Sequence, residues 1–141
     1  MKQAPEPTMP LRATARAYRY EGGAHAMIPG LKLVSEANAS EHWRVKAKRV
    51  AQQKLVVTGT LNRIQRPTLP VHVEITRIAP RMLDSDNLQG AAKAVRDAIA
   101  RWLCVDDADW KATSRVTWEV RQETGGVRQY AVRIVMREVK A

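Results

Sequence analysis

The chain has 141 residues, 45% hydrophobic and 27% charged, with 24 Lys and Arg against 14 Asp and Glu, a formal charge of +10. These totals fit one soluble domain with a single modest core. No stretch of about 18 apolar residues exists to cross a membrane, and the N-terminus lacks the apolar core of a secretory signal, so a cytoplasmic location is expected. The single cysteine, Cys104, excludes an internal disulfide and a cysteine-based zinc site. Its place after Trp102-Leu103 marks it as a small core residue. The excess of cations points to nucleic acid or another polyanion, with an attraction that salt weakens.

In chain order, residues 1–29 hold four of the seven prolines and no sustained apolar period. They read as a loosely ordered arm, with at most a short strand over residues 15–20. The compact domain is expected over residues 30–141, beginning close to Met27. Gly30 to Val34 alternates like a short strand. Ser35 to Ser40 supplies cap candidates for a helix over residues 40–55. In that helix Trp43, Ala47, Val50 and Ala51 share a core-facing side, while Arg44, Lys46, Lys48, Arg49 and Lys54 fill the remainder. Turn formers occupy residues 58–70. Residues 70–78 alternate as a half-buried strand, residues 87–103 form a second helix, and an acidic loop follows at 105–109. Val116, Trp118 and Val120 mark another strand. Glu123-Thr124-Gly125-Gly126 reads as a hairpin turn, and Tyr130, Val132, Ile134 and Met136 as the inward face of the last strand. The order β-α-β-α-β-β predicts an α/β (α+β) fold with a mixed sheet and two helices.

All six aspartates lie between positions 84 and 109, and all eight glutamates lie outside that window. On the second helix Leu88, Ala91, Ala92, Val95, Ala98, Ile99, Trp102 and Leu103 make one apolar stripe. Asp86, Gly90, Lys93 and Asp97 fall on the opposite side, which faces solvent, a partner subunit or a ligand. A glycine inside a helix costs about 1 kcal/mol against alanine, and a gap at Gly90 would let another backbone approach. An aspartate at the strand-to-helix corner caps the free N–H groups and suits the positive end of the helix dipole. Capping accounts for one aspartate of the Asp84-x-Asp86 pair, less well for the second, and hardly at all for Asp106-Asp107. Clustered carboxylates raise one another's pKa unless a cation sits between them. Mg²⁺ takes one or two carboxylates, waters and substrate phosphates. The pattern therefore suits Mg²⁺-dependent phosphodiester cleavage.

Asp84-Ser85-Asp86-Asn87-Leu88, then helical Lys93 and Asp97, then Val105-Asp106-Asp107, resemble in that order the RusA family of Holliday-junction resolvases, its phage-borne members in particular. The likeness covers roughly residues 30–138. It implies a homodimeric endonuclease that binds four-way or branched DNA and, with Mg²⁺, nicks symmetrically related strands during recombination and repair. By motif position Asp84, Asp86 and Asp107 would be the metal-binding, catalytic carboxylates, with Asp106 an alternative ligand or a support behind the ligands. Lys93 would take the part of the family's catalytic lysine. In some members that lysine stands where Gly90 stands here, one turn earlier on the same face. Asp97 would orient Lys93 or contact the other subunit.

Arg77 and Arg81, just before the aspartates, are candidates to flank the scissile phosphate. Arg44, Lys48 and Arg49 are candidates to line the DNA groove, although a solvated helix face explains them equally well. His25, His42 and His72 have no metal-ligand spacing. With no Phe and every Trp at or near an apolar stripe, base stacking is not expected, and backbone recognition is. Two rivals remain: a non-catalytic DNA-binding module of the same fold, and a Ca²⁺-stabilised interaction protein.

Overall fold

The computed structural model describes residues 14–35, 42–105 and 115–139. Seven elements follow one another: β1 (Arg16–Tyr20), β2 (Gly23–Pro29), α1 (Trp43–Leu61), β3 (Val71–Ala79), α2 (Ser85–Trp102), β4 (Val116–Thr124) and β5 (Ala131–Glu138). The strands form one five-stranded mixed sheet in the order β1-β2-β5-β3-β4. Only β3 and β4 run parallel, joined through α2. Parallel neighbours need such a crossover. No helix among the described residues is long and apolar enough to cross a membrane.

Both helices pack on one face of the sheet. Val71, Val73 and Ile75 of β3 alternate toward that face and meet Val132, Ile134 and Met136 of β5. From above come Ala91, Val95, Ala98, Ile99 and Trp102 of α2, with Val57 and Leu61 of α1. The stripe expected on α2 is therefore buried throughout. Each fully buried Val, Ile or Leu contributes roughly 1.5–3 kcal/mol, so this shared core holds the two helices in place.

The short strand allowed over residues 15–20 is β1, while residues 23–29, expected within a loose arm, form β2 of the same sheet. Glu21-Gly22 turns the chain, with Gly22 at φ 87°, a conformation glycine adopts without a Cβ penalty. β2 then pairs with β1 on one side and β5 on the other. Its sequence Gly-Ala-His-Ala-Met-Ile-Pro hides the alternation because both faces are covered: Ala24, Ala26 and Ile28 face the helices, while His25 stacks on Tyr18 at 5.0 Å across the other face. Residues 30–34, expected as a short strand, are instead a turn at Gly30 followed by irregular chain.

The terminal hairpin is also corrected. β4 and β5 do not pair; they lie on opposite sides of β3. Two strand spacings, about 10 Å, exceed the reach of a tight turn. Residues 125–130 instead pass the end of β3, where the Gly125 N–H donates to the Ala79 carbonyl at 2.8 Å. A Cβ on Gly125 would stand 3.0 Å from Ile78 Cγ2 and 3.1 Å from the Gln129 carbonyl oxygen, so a side chain here would require its neighbours to give way.

α1 runs on past the expected end at residue 55. Val56, Val57, Thr58, Gly59 and Thr60 are poor helix formers, but burial of Val57 and Leu61 overrides propensity. Its expected core face is corrected too: Trp43 is 66% exposed, and Ala47 and Ala51 are exposed with it. Cys104, expected in the core, is exposed at φ 61°, where the Arg66 guanidinium donates to its sulfur at 2.9 Å.

Candidate functional site

The corner between β3 and α2 is built by hydrogen bonds from β3 itself, from β4 and from the irregular segment 31–35. Asp84 is the N-cap of α2. Its Oδ1 accepts from the Asn87 backbone N–H at 2.9 Å, and its Oδ2 accepts from Asn87 Nδ2 at 3.0 Å. Asn87 is held in turn by Ser35, whose hydroxyl donates to Asn87 Oδ1 at 2.9 Å. Gln122 of β4 bonds both backbone groups of Leu83, the residue before the cap. Arg77 of β3 donates from Nε to the Leu33 carbonyl at 2.8 Å and from its terminal nitrogen to the Arg81 carbonyl at 2.7 Å. Capping alone requires only the first of these contacts. The others fix the direction of the Asp84 carboxylate and the path of residues 81–84.

Asp86 lies in the first turn of α2, exposed, with no hydrogen bond or ion pair among the described residues. Asp84 is exposed as well, and each of its oxygens, engaged once by Asn87, keeps a lone pair. The oxygens of these two exposed carboxylates are donors of the kind a hard divalent cation takes while retaining several waters, and their charge offsets the positive end of the α2 dipole. Asp106 and Asp107 lie outside the described residues. Among the described residues no group of three or more His, Cys, Asp or Glu comes together.

Lys93 is exposed on the outer side of α2, with Gly90 and Asp97 on the same face. Lys93 and Asp97 form no ion pair among the described residues. A Cβ at Gly90 would meet nothing within 4 Å.

The expected DNA contacts divide. Arg77 is corrected: it is 6% exposed and committed to two carbonyls, so it shapes the corner and does not reach a phosphate. Burial lowers its pKa, with the nearby Tyr130 acting in the opposite sense. Arg81 is exposed, as are Arg44 and Lys48, and Arg49 is half-exposed. The residue missed in the sequence is Trp43. Its supposed stripe consists of Ala47, Val50 and Ala51, side chains too small to anchor a helix end, and that weakness was the available signal.

The sheet face away from the helices is a lattice of ion pairs. Arg121 bonds Glu119 at 2.9 Å and Glu74 at 3.3 Å, Arg137 reaches Glu74 at 3.5 Å, and Arg133 makes a two-point contact with Glu123 at 2.8 and 2.9 Å. His72 joins the lattice between Thr117 and Glu119. Hydrogen bonds from Arg121 and then His72 lower the Glu119 pKa, and Arg133 lowers that of Glu123. Acid and base offset each other here. α1, on the other face, carries five cations and no acid.

No family model matches the chain, and no curated protein matches it. Among solved structures it is similar to the periplasmic domain of Helicobacter pylori MotB (residues 78–256), with 8% identity over 90% of this chain and 83% of that one, at a TM-score of 0.46. So slight a likeness carries no argument about fold or function.

Proposed function

We propose that the chain is a Mg²⁺-dependent, structure-selective endodeoxyribonuclease of the RusA type, acting as a homodimer on four-way or branched DNA in the cytoplasm. The observation that carries this reading is the Asp84–Asp86 corner. Two exposed carboxylates open a helix whose outer face bears Lys93, and Ser35, Arg77 and Gln122 brace the approach beyond what capping needs.

Asp84 and Asp86 would hold the ion, joined by Asp107 and Asp106 according to motif position. A divalent cation held there supplies an activated water and neutralises phosphate charge. Asn87 keeps the Asp84 carboxylate oriented by donating to both its oxygens. The Lys93 ammonium would donate to a phosphate oxygen where negative charge builds up, or support the leaving oxygen. Arg81, Arg44 and Lys48 are exposed cations that would hold the sugar-phosphate backbone without reading bases.

The test is nicking of a synthetic four-way junction with Mg²⁺ and with EDTA, using the wild-type chain and Asp86→Asn. Nicking that requires both Mg²⁺ and Asp86 supports the proposal. Salt-sensitive junction binding without nicking would replace it with a non-catalytic DNA-binding module.

A further inference from the structure

α1 is packed along only half its length. Its buried residues, Gln53, Val57, Thr60 and Leu61, all lie in the second half, while residues 43–48 are exposed in succession. The exposed half carries Arg44, Lys46, Lys48 and Arg49, with Lys54 just beyond. Helix stability does not ask for this arrangement. Cations near a helix N-terminus oppose the dipole, and Arg44 and Lys48, four residues apart, repel each other. A polyanion would relieve both penalties.

Trp43 stands at the tip of this basic segment. The Arg44 guanidinium lies 5.2 Å from its ring centroid, the His42 ring lies 5.7 Å away, and the side chain remains mostly open. Ala47, Val50 and Ala51 share the Trp43 side of the helix but are small or half-buried, and the other large exposed apolar residues, Val45 and Leu55, do not lie beside it. At about 100° per residue they fall roughly 200° and 120° from Trp43 around the helix. A membrane surface or a protein groove takes several large apolar anchors on one face, and beyond Trp43 this side of α1 offers two alanines and a half-buried valine. A nucleic-acid strand needs cations for its phosphates and a flat ring for an unpaired base, and α1 presents both.

The exposed half also stands in a fixed relation to the aspartate corner. Gln53 Nε2 donates to the Lys32 carbonyl at 2.9 Å, and three residues later Ser35 bonds Asn87. One short segment thus anchors both α1 and the first turn of α2. We infer that the first half of α1, together with Lys54 just beyond it, binds unpaired DNA, Trp43 stacking on a base while Arg44, Lys48 and Lys54 hold the neighbouring phosphates. The inference rests on the nucleic-acid reading of this surface and needs no cleavage.

The experiment measures binding of the full chain, in EDTA, to a single-stranded thymine oligonucleotide, to a fully paired duplex, and to vesicles containing phosphatidylglycerol. Trp43→Ala should weaken single-strand binding about tenfold and change duplex binding by less than about twofold, with Trp43→Phe restoring most of the loss. Lys48→Ala should weaken both DNA probes and lower the single-strand salt slope by about 0.7. Equal affinities for Trp43→Ala and wild type, an equal loss on both DNA probes, or binding to vesicles but not to DNA would each overturn the inference. Nicking plays no part in these readouts. A chain that binds in this way but cuts nothing would end the nuclease proposal and leave this one standing.

Discussion

Gln122 grips the backbone of Leu83 from both sides: its Oε1 accepts from the Leu83 N–H at 2.9 Å, and its Nε2 donates to the Leu83 carbonyl at 2.6 Å. A side-chain amide here imitates the partner that a sheet ladder would otherwise supply, at the point where the chain leaves β3 for α2. The consequence falls on Asp84, the next residue. Gln122→Ala leaves both Leu83 groups to water and should cost about 1 kcal/mol per hydrogen bond lost, read by denaturant unfolding. Nicking should fall as well, although Gln122 touches neither DNA nor metal. Restoration of nicking by Gln122→Glu, which keeps only the acceptor, would contradict the two-sided grip.

Asp84 caps α2, and under the proposed function it also holds the metal ion, two duties that substitution can separate. Asn also caps helices, so Asp84→Asn should stay within about 0.5 kcal/mol of the wild-type stability while losing junction nicking. Asp84→Ala removes the cap and should lower stability by about 1 kcal/mol. Full nicking in a stable Asp84→Asn protein would reduce the residue to a cap.

Arg77 and Arg81 are four residues apart and should behave in opposite ways. Arg77→Ala strands two carbonyls in a buried place and should cost roughly 2–3 kcal/mol. Arg81→Ala should leave the thermal midpoint almost unmoved and reduce the slope of log affinity against log salt by about 0.9 on duplex DNA.

Gly90→Ala meets no neighbour within 4 Å, so it should stabilise the chain by up to about 1 kcal/mol. If another backbone, from DNA or a second copy, comes close to this face, the same variant should also nick more slowly. Higher stability with unchanged nicking would make Gly90 a plain surface position.

The sequence carried some of this plainly. The α2 stripe was legible because Ala91, Val95, Ile99 and Trp102 recur at helical spacing and all enter the core against one sheet face. The Asp84 cap was legible because capping is local chemistry. Strand β2 was hidden, since a strand covered on both faces shows no alternation, and its alanines and glycine have little β-propensity. The separation of β4 from β5 was hidden as well, because Gly125-Gly126 signals a turn without saying which strand lies beside it. Arg77 looked like a phosphate ligand from its position before the aspartates. Its burial against the Leu33 and Arg81 carbonyls depends on tertiary contacts that no local pattern encodes. Trp43 looked like core because a helical stripe says which residues share a side, and not whether anything packs against it.

The most direct measurement is the nicking of a four-way junction by wild-type chain and by Asp86→Asn, each with Mg²⁺ and with EDTA, alongside their affinities for the same junction. The expected result is cleavage by the wild type in Mg²⁺ alone, with Asp86→Asn binding the junction and leaving it whole. Cleavage that persists in Asp86→Asn, or in EDTA, would contradict a metal site at this corner.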